Sequence, residues 1–330
     1  MNPDEVVLEV DDLRTEFFTH DGTVHAVNGV SFSLRPGEFL GVVGESGSGK
    51  SVTMMSLLKL IPMPPGEIVS GTAMFDDIDL LATDDTTLRS VRGGKIGFIF
   101  QDPMTSLNPV LTVGYQIAES VRLHTEAGKK EALDRAEELL TLVGLPDARD
   151  RLKSYPHELS GGMRQRVMIA IALACSPRVI IADEPTTALD VTVQAQIIEI
   201  MRGLRERFNT AVIWITHDLG VIAGLADRVL VMYGGQIVEE AHVDELYSQP
   251  THPYTQGLLQ SLPRLDQQGQ ELTSIPGQPP SLFEPPSGCS FAPRCPHVFN
   301  RCLEENPSLV EVGARHRVAC WWDTVEGKAR

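Results

Sequence analysis

The sequence predicts an α/β fold in which a phosphate-binding loop joins a buried strand to a helix, followed by a small cysteine-rich appendage. Three observations predict it. An apolar strand, Phe39–Val43, runs into Gly44-Glu45-Ser46-Gly47-Ser48-Gly49-Lys50-Ser51 and then into a helix with apolar periodicity. A second apolar run, 179–182, ends in the adjacent carboxylates Asp183 and Glu184. After Leu262 the composition turns to Pro, Gly and Gln without a sustained period, and four cysteines follow.

Composition sets the outer bounds. The 330 residues are 42% hydrophobic and 22% charged, a soluble globular balance long enough for one large domain and a smaller one. No stretch approaches the run of about eighteen apolar residues that a membrane span needs. The N-terminal MNPDEVVLEVDDLRTEFF is acidic and lacks the basic-then-apolar order of a signal peptide. A cytoplasmic protein is therefore expected, in a compartment where structural disulfides are disfavoured. The net charge of -16 argues against nucleic acid as a partner, because phosphate backbones demand clustered Lys and Arg.

Each element of the core has a chemical reason. In the pattern G-x-x-x-x-G-K-[ST], glycines let the backbone curl until its N–H groups face phosphate oxygens, and the helix N-terminus adds partial positive charge. Lys50 then reaches the terminal phosphates and the Ser51 hydroxyl ligates Mg²⁺. A strand ending in Asp183-Glu184 suits a nucleoside triphosphatase, with Asp183 in the Mg²⁺ shell and Glu184 polarising the attacking water. Upstream, Ser160-Gly161-Gly162 opens a helix with an apolar face through Val167, Ile171 and Ala174. Serine is a good N-cap, and paired glycines admit a phosphate to the amides. Cys175 is placed on this same helix as a packed small hydrophobe.

GESGSGKS, Gln101 in FIFQDP, LSGGMRQR, IIADEP, TALD and ITHD stand in one order. In that order they resemble the ATP-binding subunits of ABC transporters, over residues 6–240. The resemblance implies an ABC-type P-loop ATPase: a RecA-like core, an antiparallel β subdomain and a helical subdomain at about 103–178, all within 1–262. It implies that Gly44 to Ser51 bind ATP and that Ser51, Asp183 and Gln101 serve Mg²⁺. Glu184 becomes the catalytic base and His217 the switch histidine on the γ-phosphate. Ser160, Gly161 and Gly162 become the signature that caps the opposite subunit's γ-phosphate, and Asp190 the D-loop aspartate. Phe17, with Phe18 beside it, takes the adenine-stacking position. Met163 replaces the family's usual glutamine after LSGG. Two such domains are expected to sandwich two ATP molecules head to tail, closing on binding and opening after hydrolysis.

Residues 104–152 read as a helical insert with Gly144 as a stop. DRVLVMYGGQIVE reads as a hairpin turning at Gly234-Gly235, and VDELYSQPTHPYTQGLLQSLP as a helix-turn-helix. From 263 the chain reads as a linker or extended strap, and then come Cys289-x5-Cys295-x6-Cys302-x17-Cys320. A module with few large apolar residues needs a staple. In a reducing compartment four thiolates point to Zn²⁺ or to an iron–sulfur cluster, although the C-x2-C knuckles of zinc ribbons are absent.

HPYTQGLLQSLP, IPGQPPSL and CSFAPRCP resemble the C-terminal extension of the ATPase subunits of oligopeptide and dipeptide importers, and of related nickel and glutathione importers. The resemblance implies a [4Fe–4S] cluster on Cys289, Cys295, Cys302 and Cys320 within 263–330, with Zn²⁺ as the alternative; His297 and His316 lie near as spare ligands, but four cysteines leave no vacancy for them to fill. It also implies a place on the cytoplasmic face of the membrane as a peripheral subunit. The expected partners are a second, related ATPase chain, two transmembrane permease subunits and, indirectly, an extracytoplasmic peptide-binding protein. The alternative is a soluble ABC-family ATPase of translation or repair. Those often join two nucleotide domains or insert a coiled coil, and this chain has neither.

Overall fold

A computed structural model describes residues 5–187, 189–262 and 274–330. The first part of the expected linker, 263–273, and Ala188 of TALD lie outside the described residues. The chain forms two compact units, one comprising Arg35–Glu38 and Thr83–Ile215 with the N-terminal residues to Val7, the other Leu8–Leu34, Phe39–Ala82 and Thr216–Arg330.

In the first unit, Ile96–Ile99, Val179–Asp183 and Ala211–Thr216 pair in parallel, Ile181 facing both Phe98 and Ile213. Val179–Asp183 is buried at every position, the mark of a parallel strand covered on both faces. Between the first two strands run the helices Val113–His124, Lys129–Leu142 and Gly161–Ala172. Thr112 caps the first by accepting from the Tyr115 amide, and Gly144, at φ +68°, follows the second as the sequence predicts. Ala132, Ala136, Leu139 and Leu140 line the buried face of the second. The Ser160 hydroxyl accepts from the Met163 amide, making Ser160 the expected N-cap.

Two details of this last helix differ from the sequence reading. Residues Val167, Met168, Ile169 and Ala170 are all buried while Ile171 is only half-buried, so the helix is enclosed on more than one face. Its last residue is Ala172, which leaves Cys175 beyond the helix end, half-buried, its Sγ 3.6 Å from the Ser120 carbonyl oxygen. Ser176, at φ +52°, turns the chain toward the next strand, and the helix cannot be carried through that conformation.

The second unit holds an antiparallel sheet in the spatial order Gly22–Leu34, Leu8–Thr19, Gly66–Phe75, Ile78–Asp79. It also holds Phe39–Val43 in parallel with Arg228–Tyr233, which turns through Gly234 and Gly235 (φ +58° and +77°) into Gln236–His242. Two successive positive φ values match the right-handed twist of a tight hairpin, as GG predicts. The helices Val243–Ser248 and Pro253–Gln260 follow.

The cysteine-rich tail is built into this unit. Its strand His316–Val318 pairs with Gln236–His242, Glu239 opposite Val318, and carries Val310–Gly313 beyond it. Sheet pairing therefore supports the tail alongside any staple. Glu239 is fully buried and accepts from the Thr251 amide (2.6 Å), the Thr251 hydroxyl (2.7 Å) and the His252 amide (3.0 Å), with His316 Nε2 at 2.7 Å. Glu240 pairs with Arg228 and with Arg317 of the tail at 3.4 and 3.1 Å.

Among the described residues no helix is long and apolar enough to cross a membrane.

Candidate nucleotide site and four-thiol module

The phosphate loop rises from the fully buried strand Phe39–Val43 and enters the helix Lys50–Leu57. Gly44, Gly47 and Gly49 adopt φ +154°, +79° and +98°. Two of the three also leave no room for a side chain: a Cβ on Gly44 would stand 2.2 Å from the Met232 carbonyl oxygen and one on Gly49 2.6 Å from that of Ala26, whereas one on Gly47 would meet nothing within 4 Å. Lys50 is 5% exposed, and its Nζ donates to the carbonyls of Gly44 and Glu45, each at 2.8 Å. An ammonium folded back over its own loop is poised to turn toward phosphate oxygens. Ser46 and Gly47 are exposed, Ser48 is buried, and Ser51 is half-buried at the start of the helix. This cradle fits a triphosphate in shape and donors.

The second group of predicted residues converges in the first unit. Asp183, 5% exposed, closes its strand, and Glu184 follows at φ +44°, in the left-handed region that a residue with a Cβ rarely adopts. The Glu184 amide donates to the Ile215 carbonyl at 3.0 Å. Glu184 Oε2 accepts from Gln101 Nε2 at 3.2 Å and from the Thr187 hydroxyl at 2.9 Å. Both donors are neutral side chains, and together they fix the direction of the carboxylate. Sequence reasoning missed Thr187, although its place three residues after Glu184 is the usual spacing for a local side-chain bond.

Ser160 and Gly161 are exposed at the N-terminus of their twelve-residue helix, and a Cβ on Gly162 would meet Val193 Cγ1 at 2.7 Å. Asp190 is exposed and caps the helix Val191–Phe208, accepting from the Val193 amide at 2.9 Å. His217 is exposed beside Asp218, which caps the short helix Leu219–Ala223. Phe17 is half-buried and pairs across to Gly66, where a Cβ would meet its ring at 3.0 Å; Phe18 is 49% exposed.

Cys289, Cys295, Cys302 and Cys320 are free thiols, two half-buried and two buried. The Cys289 amide donates to the Cys302 carbonyl at 2.8 Å, joining two of the segments. Burial, reinforced by the neighbouring thiols, pushes Cys289 up to about 11 and Cys320 up to about 12, and burial raises Cys295. The His297 and Trp322 amides donate to the sulfurs of Cys295 and Cys320 at 3.4 and 3.5 Å. Four soft donors with N–H···S bonds fit a tetrathiolate group in kind and number. Among the described residues no three His, Cys, Asp or Glu are gathered closely enough to hold a metal ion. The two spare histidines are engaged elsewhere: the His297 ring stacks on Trp322 at 5.1 Å, and His316 bonds Glu239.

A glycine-shaped phosphate cradle and a strand-end glutamate gripped by a distant glutamine define the ATP-binding subunit class of ABC transporters, and residues 27–187 match the ABC transporter family. The dimeric ATP-binding cassette MJ0796, in a post-hydrolysis state with ADP and Pi, aligns with a TM-score of 0.64 and 29% identity over 72% of this chain and 98% of that one. CbiO1 of Clostridium perfringens, part of the transporter complex cbiONQ, gives a TM-score of 0.63 and 26% identity over 74% and 92%.

Residues 238–302 match the oligopeptide/dipeptide transporter C-terminal region. The Bacillus subtilis oligopeptide transport ATP-binding protein OppD is 53% identical over 96% of this chain and 88% of its own length. The Salmonella typhimurium OppD is 52% identical over 92% and 90%, and the Bacillus subtilis dipeptide transport ATP-binding protein DppD 51% over 96% and 95%. The chain belongs to the oligopeptide/dipeptide ABC-transporter ATP-binding family.

Proposed function

We propose that this chain hydrolyses ATP to energise peptide import through a membrane permease. The observation that carries this reading is similarity along nearly the whole chain, tail included, to relatives named for oligopeptide and dipeptide transport. The amides of Gly44 to Ser51 and the Lys50 ammonium bind the triphosphate. Ser51, Asp183 and Gln101 hold Mg²⁺, which when bound offsets charge on the β- and γ-phosphates. Glu184, oriented by Gln101 and Thr187, takes the proton of the attacking water. His217 contacts the γ-phosphate, and Phe17 stacks on adenine. Ser160, Gly161 and Gly162 present helix N-terminal amides to nucleotide on the opposite subunit, and Asp190 sits at that junction. Closure of two such subunits excludes water, and hydrolysis releases them.

In this reading residues 1–262 form the nucleotide-binding domain and 263–330 the extension. The second ATPase is a related chain, docked with two permease subunits on the cytoplasmic face of the membrane and served by an external peptide-binding protein. Cys289, Cys295, Cys302 and Cys320 hold a [4Fe–4S] cluster that staples the tail. The four soft donors and the amide bonds to the Cys295 and Cys320 sulfurs support it, and Zn²⁺ is the competing ion. The test of the function is co-purification from membranes followed by ATPase assay. A polytopic permease that raises ATP turnover supports importer work, while an active chain that never associates with one favours the soluble alternative.

A further inference from the structure

We infer that Arg294, in the cysteine-rich tail, is a positioning residue for the phosphate loop: it neutralises and fixes Glu45, so that the tail sets the loop's affinity for triphosphate. The inference deepens the ATP-site reading and rests on it.

The geometry is bidentate. Arg294 Nη1 lies 2.6 Å from Glu45 Oε2 and Nη2 3.0 Å from Glu45 Oε1. The remaining donors of the fork are committed as well: Nη1 to the Tyr233 hydroxyl at 3.2 Å, Nε to the Pro276 carbonyl at 3.0 Å, Nη2 to the Ile275 carbonyl at 3.1 Å. The Arg294 side chain is 3% exposed and that of Glu45 30%. Glu45 is held through its backbone too, its amide donating to the Tyr254 hydroxyl at 2.8 Å. Beneath it, the rings of Tyr233, Tyr254 and Phe291 pack with centroids 4.5 to 5.4 Å apart. Second along the phosphate loop, Glu45 is thus gripped at both ends by residues beyond position 230.

Charge explains why the grip serves binding as well as folding. A carboxylate on a phosphate loop repels a triphosphate, and at partly buried sites that repulsion is poorly screened. Pairing with a buried guanidinium removes it, and the planar fork fixes the side chain's direction. Arg294 ends the turn Ala292–Arg294 and is bonded through one peptide to Cys295, so whatever orders the thiol module also orders the clamp.

The test is equilibrium binding of ATP to the full chain without magnesium, at low and high salt, for the unmodified protein, Arg294→Gln, Glu45→Gln and the double variant. Arg294→Gln is expected to weaken binding by about 5- to 100-fold at low salt, and by less at high salt. Removing the stranded carboxylate restores the double variant to within about threefold of Glu45→Gln. A tail that is only a staple predicts the double variant to be as weak as Arg294→Gln, and that result, or unchanged binding by Arg294→Gln, overturns the inference. If Arg294→Gln does not fold, Arg294→Lys decides: lacking the fork, it should weaken binding by about threefold or more and speed amide exchange across 44–49, and wild-type values for both overturn it. Absent ATP binding by the unmodified chain sinks the nucleotide-site reading itself, whereas normal binding with an indifferent Arg294 sinks this inference alone.

Discussion

Gln101 and Glu184, 83 positions apart in sequence, meet at 3.2 Å through Nε2 and Oε2. In the proposed role of Glu184 as general base, the glutamine that donates to it fixes where the carboxylate points. Replacing Glu184 with Gln keeps the shape and removes the basicity. Steady-state ATPase should fall by about 10²–10⁴-fold with ATP binding retained. Near-normal turnover in Glu184→Gln would remove the residue from its role.

Gly44 should reject any side chain. Its φ of +154° and the Met232 carbonyl at 2.2 Å from a built Cβ leave Gly44→Ala neither conformation nor space. A loss of about 1–3 kcal/mol in stability is expected, together with loss of ATP binding. Thermal melting and nucleotide titration of the same sample check both.

Acid should weaken the second unit through His252 and Glu239. Burial pushes His252 down to about 4 from 6.5, with the Glu239 charge opposing and Arg330 adding to the shift. The unfolded chain takes up this proton near pH 6.5 while the folded chain resists until about 4, so stability falls as pH falls across that interval. Its size is on the order of 3 kcal/mol. Burial alone would raise Glu239, but bonds from His316, Thr255 and Thr251 outweigh it and hold the carboxyl below its usual range, so its contribution is likewise lost on acidification. Urea midpoints between pH 7 and 4 should decline in the wild type and flatten in His252→Asn.

The four-thiol module gives an optical prediction. Protein purified without oxygen should show broad absorption near the violet edge of the visible, with iron and sulfide, and Cys302→Ser should lose both. Colourless wild-type protein containing zinc would replace the cluster with the competing ion.

What could be read from sequence was what is local. The strand Phe39–Val43, the loop to Ser51, the Asp183-Glu184 strand end, the Ser160 cap and the Gly234-Gly235 turn each announce themselves within a few residues, because backbone conformation and hydrogen-bond need are settled there. The end of the helix at Ala172 was harder, since no glycine follows it, Pro177 stands five residues beyond, and Ser176 supplies the positive φ. Partners far apart in the chain were illegible. Nothing near Glu45 names Arg294, 249 positions away, and nothing near Glu239 names His316, which sequence alone set beside the thiols as a spare ligand. Such pairs depend on the sheet that carries the tail back beside the phosphate loop.

The most direct test reconstitutes the chain with its permease and a related ATPase in vesicles and follows peptide uptake alongside ATP hydrolysis. Uptake that requires ATP and stops with Glu184→Gln is the predicted result. ATP consumption that proceeds with no movement of peptide, whichever permease is supplied, would contradict it.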